Sequence, residues 1–320
     1  MAMIGPFITF YNGIKFPQFG LGTWQSTKEE CKTAVRAALD AGYRHFDSAF
    51  AYGNEADIGE VINEYIKAGK IKREDVFITS KLWSTFMEPS KVAEGCDISL
   101  KALGLDYIDL YLAHNSMAFK NTSSGGAFPT NPDGTPAVLD VKVQDTWAAM
   151  EKLVKNGKVK SIGVSNYSAE QVDRIVKHGT IKPVTNQVEC HAYMRQEELF
   201  NACKKHNVYL TSYGSLGSPG RPESFRDNSH PVLMEEPFIK QLATKHKKSP
   251  GQILLRELIQ RGIIIIPKSS NPKRIKENSE IFDFQLSPAE MKQIADLDKK
   301  LRLFGSFDIL KCHPEYPFHA

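Results

Sequence analysis

Cysteine is scarce in this chain and never paired. Cys31, Cys96, Cys190, Cys203 and Cys312 are odd in number, widely spaced and form no C-x-x-C. That excludes a disulfide framework or a zinc cluster as the organising device and points to a reducing compartment. Long apolar runs are missing as well. The longest aliphatic stretch, Ile263 to Ile266, is far too short to cross a bilayer, and no basic region followed by an apolar segment opens the chain. The expected location is therefore cytoplasmic. Nor does charge of one sign dominate: 41 Lys and Arg stand against 37 Asp and Glu, spread along the sequence for a net +4. This argues against nucleic acid or an anionic membrane as the main partner. No P-loop, G-x-S-x-G elbow or H-E-x-x-H occurs. Gly20-Leu21-Gly22-Thr23-Trp24-Gln25 offers two glycines of a dinucleotide-binding turn and lacks the third. Asn121-Thr122-Ser123 and Asn166-Tyr167-Ser168 match the glycosylation sequon, which has no meaning in a cytosolic chain.

What is present is an ordinary globular composition, 41% hydrophobic and 24% charged, able to build a large core. A hairpin is expected first, from Phe7 to Phe10 and Ile14 to Phe16 around Asn12-Gly13. Short apolar runs then alternate with amphipathic segments. The first helix is signalled by Ser26 and Thr27 three residues before Glu29 and Glu30, by an apolar face of Cys31, Ala34, Val35 and Ala38, and by Gly42 at its end. Eight strands are expected: Phe19 to Gly22, His45 to Asp47, Val76 to Thr79, Ile108 to Leu112, Ser161 to Val164, Val184 to Val188, Val208 to Thr211 and Ile263 to Ile266. Helical patterns fall near 54–68, 88–103, 142–156, 168–177, 195–205, 235–247 and 272–278. Strand and helix alternating throughout predict a parallel sheet, and eight such units predict one (β/α)8 barrel spanning residues 1–320 as a single domain. Long connections rich in Gly, Pro, Ser and Asn, from Ser116 to Leu139 and from Gly214 to Met234, follow strands four and seven and belong at the C-terminal mouth.

At that mouth the sequence places four matched groups: Asp47, Lys81 and His114 at strand ends, and Tyr52 on the loop after the second strand. Each alone reads as a cap, a rim charge, a core histidine or loop packing. Together they form a proton donor, two groups able to tune it and an imidazole to orient a carbonyl. A free phenol with a pKa of about 10 is a poor acid at neutral pH. A lysine ammonium beside Tyr52 is expected to lower that value, with Asp47 holding Lys81 in place and His114 donating to the carbonyl oxygen.

Other strand ends carry polar groups suited to a carboxamide: Ser165 and Asn166 at strand five, with Gln187 at strand six. Tyr213, ending strand seven, can stack on a flat heteroaromatic ring. After the last strand, Ile266-Pro267-Lys268-Ser269-Ser270-Asn271-Pro272-Lys273-Arg274-Ile275-Lys276-Glu277-Asn278 opens a short helix where amide donors and cations meet, a fit for a phosphate monoester. No metal site is visible.

On these residues the chain resembles the aldo-keto reductases, from about Gly20 to the C-terminus. Gly42 to Glu55, the region of Ile108 to His114, and Ile266 to Asn278 are similar to that family's three signatures, and the run including Pro317-Phe318-His319 is most similar to its aldose and aldehyde reductases. The resemblance implies a (β/α)8 barrel that binds NADPH extended, with Asp47, Tyr52, Lys81 and His114 as the catalytic tetrad. It implies Thr23, Trp24 and Asp47 around the nicotinamide ribose, Ser165, Asn166 and Gln187 on the carboxamide, and Tyr213 on the ring. Leu216 and Ser218 would meet the pyrophosphate, Lys268, Ser269, Asn271 and Arg274 the 2′-phosphate, and Glu277 and Asn278 the adenine. Substrate contacts fall to Trp24, Tyr52, Trp83, His114, Phe128 and Phe304. The implied function is NADPH-dependent reduction of aldehydes, including sugar aldehydes and reactive carbonyls, by a monomer. The alternatives are a ketone, steroid or prostaglandin reductase, and a non-catalytic NADPH-binding module. The chain departs from the pattern in three places. Asn115 and Ser116 stand where a tryptophan and a proline often follow the histidine, removing an aromatic wall. Gly220 replaces an acid that latches a loop over the cofactor, and Glu223 replaces a common tryptophan, which implies looser retention and faster NADP+ release. Phe50 and Ala51 replace larger or polar neighbours of Tyr52.

Overall fold

The computed structural model describes residues 4–121, 128–305 and 309–318. Strand β1 (Phe7–Thr9) pairs antiparallel with β2 (Lys15–Pro17) as the expected hairpin. Phe16 sets its ring 4.6 Å from His45 and 4.4 Å from Phe77, so the hairpin plugs the barrel where those two strands begin.

The barrel strands are β3 (Leu21–Gly22), β4 (His45–Asp47), β5 (Phe77–Leu82) and β6 (Ile108–Ala113). A small hairpin, β7 (Ala118–Phe119) with β8 (Val138–Leu139), sits inside the long connection after β6. The barrel continues with β9 (Val159–Ser165), β10 (Thr185–Glu189), β11 (Tyr209–Tyr213) and β12 (Ile264–Ile265). Neighbours pair in parallel in the order β12-β11-β10-β9-β6-β5-β4-β3. The seam closes by backbone: Gly20 N–H donates to the Ile265 carbonyl at 2.9 Å, Ile265 N–H to Gln18 at 2.9 Å, and Gly22 bridges Lys268. The (β/α)8 architecture expected from the alternating pattern is what forms. Strand one is shorter than expected because its start is spent on that seam.

Helices α1 (Lys28–Asp40), α2 (Glu55–Lys67), α3 (Val92–Leu103), α4 (Val143–Lys155), α5 (Ala169–His178) and α6 (Glu197–Lys205) lie where the sequence places them, within a few residues. The α1 start carries a capping box, with Thr27 N–H donating to Glu30 Oε2 at 3.0 Å. One correction concerns the layer before β12. The predicted 235–247 segment is α7 (Pro237–His246), but the helix that leads into β12 is α8 (Pro250–Gln260), which the pattern reading passes over. Every residue of α8 from Gly251 to Ile259 is buried, Gln252, Arg256 and Glu257 included, so its polar row bonds neighbouring segments such as the Glu277 and Ile281 carbonyls rather than facing solvent. After β12 come α9 (Pro272–Ser279) and a helix the sequence reading also omits, α10 (Pro288–Ala295). Helices α7, α8 and α10 share a second apolar cluster of Ile239, Leu242, Ile253, Leu254 and Ile294 beside the main core. Among the described residues no helix is long and apolar enough to cross a membrane. Of the expected segments, Thr122 and Ser123 of the first sequon, part of the loop after β6, and His319 lie outside the described residues.

Candidate active site

Asp47 closes β4 and Lys81 stands one residue before the end of β5, both fully buried. Lys81 Nζ donates to Asp47 Oδ1 at 2.5 Å, to the Ser48 carbonyl at 2.7 Å and to the Tyr52 hydroxyl oxygen at 3.3 Å. The ammonium therefore spends its hydrogens on its neighbours and leaves the Tyr52 proton free. Among the described residues that O–H has no acceptor. A single 3-10 turn, Phe50–Tyr52, presents the phenol, and Gly53 ends it at a φ of 68° that disfavours a side chain. Asn54 pins the turn: its amide donates to the Thr23 carbonyl at 2.8 Å and its oxygen accepts from Ser48 at 3.3 Å. Asn54 was part of the motif read in sequence but had no role there; its signal was its place between Tyr52 and Glu55.

Burial pushes the Asp47 carboxyl up and the Lys81 ammonium down, and their contact opposes both shifts. Tyr52 corrects an expectation. Burial and the Asp47 charge hold its phenol well above the ordinary value, whereas the sequence reading had Lys81 lowering it. Desolvation of the phenolate outweighs one ammonium already engaged by Asp47, although the half-buried phenol keeps part of its surface open to the mouth. His114 follows β6, with its backbone N–H on the Leu82 carbonyl at 3.1 Å. Burial and Lys81 hold the imidazole well below its usual pKa, hence neutral. Its ring lies edge-on to Tyr52 at 5.6 Å and to Trp83 at 5.0 Å, with Phe128 5.5 Å beyond Trp83.

The polar groups of the next strands join this set through hydrogen bonds. Gln187, inside β10, donates from Nε2 to Asp47 Oδ2 at 2.7 Å. Ser165 donates to the Gln187 carbonyl at 2.8 Å, and Asn166, at a left-handed φ of 59°, donates to the His114 carbonyl at 3.1 Å. Tyr213 donates to Asn166 Oδ1 at 2.8 Å, which fixes its ring beside the site. Thr23 ties β3 to the centre by donating to the Asp47 carbonyl at 2.9 Å. Trp24 and Phe304 face each other at 5.8 Å. Leu216 is half-buried against both apolar clusters, and Ser218 sits at a φ of 42° in the loop after β11.

The Gly22–Lys268 bridge brings Lys268 beside the β3 end, next to Thr23 and Trp24. Lys268, Lys273, Arg274 and Lys276 are exposed and, among the described residues, make no ion pair, so the cluster is an open cationic patch that fits an anionic group. The expected amide donors are not available, however. Asn271 caps α9 by accepting from the Lys273 and Arg274 N–H groups at 2.9 and 3.2 Å, and Pro272 has none. An anion there would be held by side chains. Ser269 is buried and bonds Asn271, Glu277 is half-buried, and Asn278 is buried.

Asn115 and Ser116 turn out to be structural rather than vacant. Asn115 donates to Ser84 at 2.7 Å, and Ser116 donates at 2.6 Å to the carbonyl of Glu315, whose carboxylate also takes Arg174 and Gln171. This anchors the C-terminal segment over β7 and β8. Sequence reading also missed Glu189, fully buried at the end of β10, which accepts the Leu303 N–H at 2.5 Å and the Phe304 N–H at 3.4 Å. A carboxylate at the C-terminal end of a fully buried strand, two residues after Gln187, was the available signal. Phe50, in place of a larger or polar neighbour, sets its ring 5.3 Å from Phe86. Among the described residues no group of three or more His, Cys, Asp or Glu is arranged to hold a metal. Cys31, Cys96, Cys190 and Cys203 are buried, each thiol pushed up to about 12 mainly by burial.

Comparison with known proteins matches this geometry. The aldo/keto reductase family profile covers residues 17–299. The chain is 46% identical to the Gallus gallus protein named aldo-keto reductase family 1 member A1, over 98% of this chain and 97% of that one. It is 45% identical to the Xenopus tropicalis protein of the same name, over 100% and 99%. The solved structure of the aldose reductase from Schistosoma japonicum superposes with a TM-score of 0.90 at 41% identity, covering 98% of this chain and 99% of that one. The chain therefore belongs to the aldo/keto reductase family, as a carbonyl-reducing oxidoreductase.

Proposed function

We propose that this protein reduces aldehydes, including sugar aldehydes and other reactive carbonyls, to alcohols using NADPH. The reading rests above all on one observation: Lys81 donates to the Tyr52 oxygen while the Tyr52 hydroxyl has no acceptor among the described residues, with the ring of His114 edge-on to the phenol at 5.6 Å. When bound, NADPH supplies hydride to the carbonyl carbon. Tyr52, protonated at neutral pH because its pKa is raised, gives its proton to the carbonyl oxygen. Lys81 then stabilises the phenolate left behind at 3.3 Å, and Asp47 keeps Lys81 there. Neutral His114 orients the carbonyl oxygen without competing as an acid.

Thr23, Trp24, Ser165, Asn166, Gln187 and Tyr213 would hold the nicotinamide end, Leu216 and Ser218 the pyrophosphate, Glu277 and Asn278 the adenine. The unpaired cations Lys268 and Arg274, with Ser269 and Asn271, favour a 2′-phosphate and hence NADPH over NADH. Trp24, Trp83, Phe128 and Phe304 would line the substrate's approach. Such aromatic walls also admit bulky apolar ketones, which supports the ketone reductase alternative for large substrates.

The test is loss of NADPH absorbance with an aldehyde panel, comparing wild type with Tyr52→Phe. We expect kcat to fall at least about a hundredfold in the variant, the scale of a lost general acid, with NADPH binding retained. A wild type that binds NADPH and reduces nothing would instead mark a binding module.

A further inference from the structure

The loop after β11 is folded back on itself. Gly214, Gly217 and Ser218 take left-handed φ values of 67°, 72° and 42°. Arg221 then donates from Nε to the Phe225 carbonyl at 2.9 Å and from Nη1 to Gly217 at 3.1 Å, while Arg226 Nε reaches the Arg221 carbonyl at 2.8 Å. Residues 217–226 are thus tied into one unit by guanidinium bonds to their own carbonyls. Among the described residues no hydrogen bond or ion pair joins this unit to the rim bearing Trp24. What crosses is an aromatic contact: Phe225 lies 6.2 Å from Trp24, edge-on, and 5.8 Å from Phe304. Phe304 also meets Tyr213 at 5.5 Å, and its backbone hangs on buried Glu189.

From these contacts we infer that Phe225 is a specificity-determining residue. It completes an aromatic wall with Trp24 and Phe304 and selects carbonyl compounds bearing an aryl or extended apolar group. The inference rests on the reductase reading above. Phe225 also docks the tied loop on the barrel rim.

The experiment compares wild type, Phe225→Ala, Phe225→Trp and, as control, Glu223→Ala, each with benzaldehyde and with propanal. Phe225→Ala should raise KM for benzaldehyde about tenfold, the scale of lost aromatic contacts, with kcat nearly unchanged and propanal unaffected. Phe225→Trp should restore the benzaldehyde KM, and Glu223→Ala should match wild type. In the unliganded protein, Phe225→Ala should also speed amide hydrogen exchange in residues 217–226. Equal KM ratios for wild type and Phe225→Ala, or unchanged exchange there, overturn the role of Phe225 alone. A wild type that turns over neither aldehyde defeats the reductase reading and this role with it.

Discussion

The guanidinium of Arg274 is exposed on the first turn of α9 and has no carboxylate partner among the described residues, so its charge is free for a ligand. A charge-assisted contact of that kind is worth about 1.5–3 kcal/mol, or roughly 10- to 100-fold. Arg274→Ala should raise KM for NADPH by that factor and leave KM for NADH within about twofold, as steady-state kinetics with the two cofactors will show. Equal effects on both would place Arg274 outside a 2′-phosphate site. The Tyr52 correction belongs to this scale too. The strand-end positions of Asp47, Lys81 and His114 and the loop position of Tyr52 were legible in sequence, but the direction of the Tyr52 shift was not, because desolvation depends on what surrounds the ring.

Helix α8 carries readable signals at the scale of an element, although nearly all of it is buried. Gln252, Arg256 and Gln260 make a polar row at i, i+4 spacing, and the start is well marked: Ser249 accepts the Gln252 N–H at 3.4 Å, Gln252 Oε1 takes the Ser249 N–H at 2.8 Å, and Pro250 occupies the first turn. Capping chemistry was the readable cue. Ser249→Ala removes the cap at a cost of about 1 kcal/mol. A urea midpoint lowered without a change in slope would express that loss, whereas an unchanged midpoint would mean that packing alone holds α8 in place. The helix that follows β12 teaches the converse lesson. Its cations were legible, but the consumption of its first amides by Asn271 depends on a rotamer that sequence does not specify.

For the whole molecule, stability against acid should depend on His45 inside the barrel. The ring is fully buried, bonded to Thr79 Oγ1 at 3.1 Å and flanked by Phe16 and Phe77. Burial, followed by the Lys81 charge, pushes its pKa down to about 3. The unfolded chain binds this proton below a pKa of about 6.5, so between the two values unfolding takes up a proton and stability falls as pH falls. Above about 6.5 the residue contributes no pH dependence. From pH 6.5 to pH 5 the loss due to His45 is roughly 2 kcal/mol. Denaturation of wild type and His45→Gln at pH 7 and pH 5 should show the wild type losing more by about that amount, and equal losses would contradict it.

The sequence by itself determined the (β/α)8 class, the order of its strands, and the residue types gathered at its mouth. Those features follow from local chemistry: apolar runs, turn and cap residues, and ionisable groups at the ends of strands whose common direction the alternation dictates. Only the tertiary structure decided the rest. It showed that Asn115 and Ser116 anchor neighbouring segments, that Glu189 holds the chain bearing Phe304, and that Phe225 reaches Trp24 across the mouth. These relations join residues far apart in the chain through distance, burial and orientation. No local pattern encodes which distant groups the closed barrel will bring together, nor how far each is withdrawn from solvent.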